Sequence, residues 1–282
     1  IFPLFLLKKK PRIIFHIWGS DFNIHYRNKI INKFVLKWLV KKSSLIWVNW
    51  LAMADDVKTE FPKHYKKVKT IPLGVTDELF EKASEESKRR IINKYNLKNN
   101  EFLIIYTRAF ARNANHHQLI EAFNMVKQNN YKAIFQHFGG NEKYKLEIDE
   151  LIKKYKLENK IIATRYDLTD DEMKAMYELA DLTFSMTSQE QFSRTVLEAV
   201  LSDTNIILND IEPYQYLKYV FNWNVELINI SNKKQLAERL DTYIANKPTA
   251  NWDQEKIFIE KMFRFEKKLP LIKEIYNQII NQ

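Results

Sequence analysis

The sequence predicts an α/β fold of parallel βαβ units, arranged in a first and a second part. Three observations carry that prediction. Short apolar runs alternate with segments of helical period along the whole chain, the pattern of βαβ units. The 282 residues, 45% of them hydrophobic, are enough to bury one large core or two medium ones. A charged stretch from Glu81 to Lys98 links a shorter first part to a longer second part.

Taken in order, the first part should hold strands near 12–17, 44–48 and 68–72, with helices near 28–42 and 51–61. The second should hold strands near 102–107, 133–138, 160–164, 182–186, 205–209 and 225–230. Its helices should cover about 116–129, 142–156, 169–180, 193–202 and 233–246. The segment from Trp252 to Gln282 reads as helical and carries Phe258, Phe263, Phe265 and Tyr276. No internal repeat or low-complexity tract interrupts this order. Glycine occurs only four times, as Gly19, Gly74, Gly139 and Gly140. Each stands at or beside the end of an apolar run, where close backbone approach or a positive φ is useful.

Composition removes several function classes. The chain has no Cys, which excludes a disulfide framework, a thiol nucleophile and a thiolate metal site. No run of about 20 apolar residues is present to span a bilayer. In the opening Ile1–Lys10 the charges follow the apolar stretch, the reverse of a secretory signal. Charge is unevenly placed. Residues 1–70 carry 15 Lys/Arg against 4 Asp/Glu, net +11, so the remainder sums to −1 within the chain's +10. Lys29, Lys33, Lys37 and Lys41 recur every fourth residue along the helix expected near 28–42. Ile30, Ile31, Phe34, Val35, Trp38 and Leu39 supply its apolar side. Two readings stand: a basic helix lying on an anionic membrane surface, or a solvated lysine ridge. No nucleic-acid motif accompanies the charge.

The densest cluster of candidate chemistry is Thr187-Ser188-Gln189-Glu190-Gln191-Phe192-Ser193-Arg194-Thr195-Val196-Leu197-Glu198-Ala199. Glu190 follows an apolar strand, and Glu198 falls inside the helix that begins near Ser193. In open α/β sheets, ligands bind at the carboxyl ends of strands, beside the helix N-termini that follow. Backbone N–H groups and the helix dipole suit phosphate oxygens, while carboxylates accept hydrogen bonds from sugar hydroxyls. On spacing alone the two acids also read as a first-turn acid and a solvated helix residue. His116, His117 and Glu121 resemble a metal set in composition. Adjacent histidines, however, point about 100° apart on a helix, which makes joint coordination awkward.

The Glu190–Glu198 segment resembles the Glu-x7-Glu region of the retaining GT-B glycosyltransferases of family 4, the group 1 type. The resemblance runs on in order. Arg12–Asp21 is similar to a strand ending in His-x-x-Gly-Ser/Thr-Asp, and Lys69–Phe80 to the interdomain Ile-Pro-Asn-Gly-Val-Asp-x-x-x-Phe. Leu103–Arg108 with Leu119–Phe123 is similar to the first C-domain strand, its Gly-Arg and the following helix. Phe135–Gly140 stands where a strand ends in a glycine-rich turn.

The resemblance implies a GT-B fold: two Rossmann-like doubly wound domains with the donor site in the interdomain cleft. The first domain is expected to be incomplete, because about a dozen residues precede its His16 strand. The implied domains are 1–78, a partial acceptor-side unit, and 79–255, the nucleotide-sugar unit. Residues 256–282 would form a helix crossing back to the first domain.

His16 and Glu190 are implied as catalytic. Gly19, Ser20 and Asp21 would shape the acceptor side. Arg108, Arg112, Gly139, Gly140, Gln191, Phe192, Ser193, Arg194, Thr195 and Glu198 would hold the donor. Three departures stand out. Asn113 and Ala114 occupy the place of a family lysine, which leaves Arg112 as the substitute cation. Gln191 and Ser193 replace two glycines. Ser202-Asp203-Thr204 replaces a glycine turn, and the tight turn should be lost with it.

The function implied is transfer of a sugar from a nucleotide diphosphate sugar to a glycan or lipid-linked acceptor. The setting implied is bacterial surface-polysaccharide synthesis, without metal or other cofactor. The protein would be cytoplasmic, or peripheral on the inner face of the plasma membrane. A sugar-nucleotide epimerase on the same fold and a catalytically silent partner subunit are the alternatives.

Overall fold

The computed structural model describes residues 11–19, 22, 30–72, 74–137 and 139–281. They form two compact units. The first takes in the described residues up to Asp77 together with Glu190–Phe192 and those from Glu260 onward. The second comprises Glu78–Gln189 and Ser193–Ile259.

In the first unit β1 (Ile14–Ile17), β2 (Leu45–Val48) and β3 (Val68–Thr70) pair in parallel in the order β1-β2-β3. Helices α1 (Ile30–Lys42) and α2 (Leu51–Glu60) follow β1 and β2 in the chain. Leu36 and Val40 of α1 join Val57 of α2, Ile46 and Val48 in one core cluster. The outer face of α1 exposes Lys33, Lys37 and Lys41, with Ile31 76% and Phe34 71% exposed. Lys29 lies outside the described residues.

The second unit opens with α3 (Glu85–Tyr95) and carries a six-stranded parallel sheet. Its strands are β4 (Phe102–Tyr106), β5 (Tyr131–Gln136), β6 (Ile161–Thr164), β7 (Leu182–Ser185), β8 (Asn205–Asn209) and β9 (Glu226–Ile228). They lie in the order β6-β5-β4-β7-β8-β9. This is the doubly wound order of a nucleotide-binding sheet, with its switch point between β4 and β7. The longer helices are α4 (His116–Phe123), α5 (Glu142–Lys154), α6 (Asp170–Leu179), α7 (Arg194–Leu201) and α8 (Lys233–Asn246), and the short helical pieces Glu212–Gln215 and Tyr216–Val220 join β8 to β9. Every residue of β4 and β7 is buried, as central parallel strands covered on both faces require.

Strands and helices follow one another along the chain largely as the alternating pattern predicts, and the differences have local causes. The charged Glu81–Lys98 stretch was expected only as a link, yet it contains α3. Ser84 caps that helix by accepting from Ser87 N, Glu85 and Glu86 fill its first turn, and Asn96 ends it in the left-handed region. Ser87, Ile91 and Tyr95, spaced by four, form the buried face. Helix α4 stops at Phe123 rather than near 129, and Asp241 Oδ1 then accepts from the backbone N–H groups of Lys127 and Gln128. The turn after α7 is kept without glycine. Asp203 itself adopts φ 57°, and Thr204 N reaches Ala199 O at 2.9 Å. The expectation that this turn is lost is therefore corrected. The C-terminal segment is two helices, α9 (Asp253–Phe263) and α10 (Phe265–Asn281). They are separated at Arg264, where Val75 bonds to Phe263 O and receives Phe265 N.

Candidate active site

The carboxyl ends of β4 and β7 flank the switch point of the second unit, and most of the expected donor residues gather there. Arg108, two residues past β4, donates from its guanidinium to Ser193 Oγ at 3.3 Å. Ser193 is 1% exposed and stands at the N-cap of α7, but its hydroxyl makes no capping bond. A cation and the positive end of a helix thus meet at one point, the arrangement that suits a phosphate.

Behind this point lies a polar network. Thr107 Oγ1 and Tyr177 OH share a hydrogen bond of 2.5 Å, and Tyr177 also reaches Thr195 and Glu198. Glu198 receives Arg194 Nε at 2.8 Å. Burial pushes the Glu198 carboxyl above the usual carboxylate range, against the opposing pull of Arg194, Tyr177 and Arg108. The Tyr177 hydroxyl is likewise driven up, first by burial and then by the Glu198 charge. Arg194 is mostly exposed, so its pairing with Glu198 is partly screened by solvent.

Three further expected donor residues are engaged differently. Arg112 sits on a 3₁₀ turn, exposed and paired with Glu147, its guanidinium 4.8 Å from the Tyr144 ring centroid. As a substitute for the missing lysine it is already held by α5. Gly139 donates its N–H to His137 Nδ1 at 2.8 Å. Gly140 adopts φ 114°, and a Cβ there would lie 2.4 Å from Phe110 N. Its glycine is required by the protein's own backbone, with Asn141 N donating to Phe110 O at 2.7 Å.

In the first unit His16 lies on β1, one residue before its end, and its Nε2 lies 2.8 Å from Asn49 Oδ1. Its ring stands 4.6 Å from Trp18 and 5.2 Å from Trp47. Gln191, 6% exposed, donates from Nε2 to Ile17 O at 2.8 Å and accepts at Oε1 from Asn49 N at 3.2 Å. Beside it Gly19 adopts φ 101°, and a Cβ there would sit 3.1 Å from Gln191 Cγ. Phe192 lies between Trp50 and Phe263, at centroid distances of 4.5 and 4.6 Å. Gln191 and Phe192, expected on the donor, thus also have partners within the first unit. Glu190 accepts from Gln191 N at 3.3 Å. Ser20 and Asp21 lie outside the described residues.

The residues weighed as a metal set have separate partners. His116 is buried among Tyr106, Phe110, Phe135 and Tyr144, stacked on Phe110 at 4.8 Å. Burial drives its pKa down to about 3. His117 Nδ1 lies 2.9 Å from Tyr144 OH, and Glu121 receives Lys233 at 2.7 Å.

The family model for glycosyl transferases group 1 matches residues 87–261, more than half of the chain. The chain belongs to that family. This group 1 glycosyltransferase is accordingly a transferase, with the α/β, parallel-sheet architecture of GT-B enzymes. Among solved structures it is similar to HepE of Anabaena in complex with UDP and glucose. That match has 18% identity, covers 94% of this chain and 71% of the other, and has a TM-score of 0.78. A glycosyltransferase from Rickettsia africae matches at 19% identity, with 96% and 72% of the chains covered and a TM-score of 0.74. The sucrose-phosphate synthase of Thermosynechococcus elongatus matches at 16%, with 95% and 67% covered and a TM-score of 0.74. No curated protein matches the sequence.

Two polar residues at this candidate site had no sequence signal strong enough to single them out. Tyr177 lies on α6, whose Thr169–Glu172 capping box fixes the helix start and so brings the phenol to Glu198. Asn115 has φ 58° and donates to Met186 O at 2.7 Å and Ser188 Oγ at 2.9 Å, tying the Arg112 turn to the loop after β7. An asparagine before a helical run marks a cap or a left-handed turn, which was the available clue.

Proposed function

We propose that this glycosyltransferase takes its sugar from a nucleotide diphosphate sugar, retains the anomeric configuration, and uses no metal. The observation that carries the reading is the meeting of Arg108 with Ser193 at the N-terminus of α7, with the partly buried Glu198 beside it. HepE of Anabaena, similar in fold, is solved with UDP and with UDP-glucose, which supports the donor class. Arg108 and the first N–H groups of α7 would stabilise the departing diphosphate in place of a metal. Glu198 would accept from ribose hydroxyls and Glu190 from the sugar hydroxyls, with His16 on the acceptor side. Attack on the leaving-group face then requires no protein nucleophile.

The acceptor in this reading is a glycan or a lipid-linked saccharide of a bacterial surface polysaccharide, met at the inner face of the plasma membrane. The exposed Lys33, Lys37 and Lys41 beside Ile31 and Phe34 support that placement. Each lysine near anionic lipid is worth about 1 kcal/mol, and the field is screened within about 8 Å at physiological salt.

The test is a panel of nucleotide sugars offered with and without chelator, followed by product analysis. Sugar transfer with retained configuration that survives chelator is expected. Transfer lost in chelator and restored by Mg²⁺ or Mn²⁺ would overturn the metal-free reading. An epimerised donor formed without acceptor would replace transfer by epimerisation. On the membrane side, replacing Lys33, Lys37 and Lys41 with Gln should reduce co-sedimentation with anionic vesicles while leaving transfer to a soluble acceptor intact. Equal co-sedimentation would leave the solvated ridge as the explanation.

A further inference from the structure

The second unit holds a polar cavity of about 460 Å³ that the transfer reading does not use. It lies at the amino-terminal ends of β8 and β9, where Asn205 and Glu226 begin their strands. This is the opposite end of the sheet from Arg108 and Ser193. Helix α8 supplies Arg239 and Tyr243, the loop before α9 supplies Asn251 and Trp252, and Lys218 closes another side. The volume is within the usual range of small-molecule sites, about 300–1,000 Å³.

The wall is built rather than incidental. Glu226 receives Arg239 Nε at 2.7 Å and Tyr243 OH at 3.3 Å, which fixes carboxylate, guanidinium and phenol together. Asn205 uses Nδ2 on Asp181 O and Pro248 O, at 2.9 and 2.8 Å, which leaves Oδ1 to accept. Trp252 is buried, with its indole N–H on Thr204 O at 3.0 Å. The cavity therefore offers acceptors (Glu226, Asn205) and donors (Arg239, Lys218) around the Tyr243 and Trp252 rings. Hydroxyl groups are donor and acceptor at once and fit such an alternation. A phosphate fits it poorly, because Glu226 stands within the wall and offsets Arg239.

We propose that this cavity is a saccharide-binding site, separate from the transfer site, that takes a short neutral segment of glycan. Its readout is binding in the absence of nucleotide and turnover, so it passes or fails independently of the donor chemistry. The full chain is titrated by calorimetry with maltose, lactose and diacetylchitobiose, and with inorganic phosphate as the anion arm. The same titrations are run on the Glu226→Gln/Arg239→Gln double variant and on Asn224→Ala, an exposed cavity residue whose loss leaves the Glu226 pair intact. At least one disaccharide should bind at millimolar concentration. The double variant should weaken it about 10-fold or more, as loss of a charge-assisted hydrogen bond implies. Asn224→Ala should weaken it as well, which keeps the test decisive if the double variant fails to fold. Absence of disaccharide binding, affinity unchanged in the folded variants, or a preference for phosphate over every disaccharide would overturn the proposal.

Discussion

Two clusters at strand ends, one in each unit, contain residues of the same thirteen-residue motif but use them in opposite ways. In the first unit the Gln191 amide is used at both ends by the protein, on Ile17 O and Asn49 N. Asn49 in turn holds His16. Seven residues along the chain, Glu198 sits in the second unit as a desolvated carboxylate whose acidity burial has weakened. The first cluster is a strut, with its polar groups satisfied and its geometry fixed. The second keeps an acid at an energetic disadvantage beside a cation, the condition expected at a functional site. A motif position thus predicts a neighbourhood, while the partner atoms decide whether a residue binds ligand or scaffold.

The largest expected effect breaks the strut. Gln191→Ala leaves Asn49 N–H and Ile17 C=O buried without their partner, at about 1–3 kcal/mol for each group. The unfolding midpoint of the full chain should fall by several degrees. Unchanged stability would mean that Gln191 is not structural and would return it to the donor side.

A smaller effect separates burial from function in the second unit. The His116 pKa of about 3 lies below the unfolded value near 6.5, so the unfolded chain binds more protons below that pH. Its contribution is complete above pH 6.5 and is lost as pH falls towards 3. At pH 5 that amounts to about 2 kcal/mol, from about 1.4 kcal/mol per pKa unit. His116→Leu should therefore lose less stability than the parent between pH 7.5 and pH 5, measured by thermal unfolding at each pH. Parallel losses would show that His116 takes up a proton in the folded state.

The fold was largely legible because alternating apolar runs and helical periods report parallel βαβ units directly. Helix α3 was hidden because its buried face is only Ser87, Ile91 and Tyr95 within a densely charged sequence. Its cap at Ser84, whose side chain also bonds Asp171 at 2.6 Å, carries information that periodicity does not. The site was legible in part. Arg108, Ser193 and Glu198 come together as the motif order implies. The contacts that Gln191 and Gly140 make within the protein were not legible. Each is demanded by a contact distant in sequence, with Asn49 and Ile17 for one and the Phe110 backbone for the other. Asp203 shows the converse, since a left-handed turn survives where glycine is absent.

The most direct measurement of the central claim is titration of the full chain, in chelator, with a panel of nucleoside diphosphates, for the parent, Arg108→Ala and Glu198→Gln. Glu198→Gln keeps the shape of a side chain whose charge is already disfavoured by burial, so any loss reports on ligand rather than folding. The account predicts that one nucleoside diphosphate binds the parent and that each variant weakens it about 10- to 150-fold, from about 1.5–3 kcal/mol per charge-assisted hydrogen bond. Affinity in both variants equal to that of the parent, or a folded parent that binds none of the panel, would contradict it.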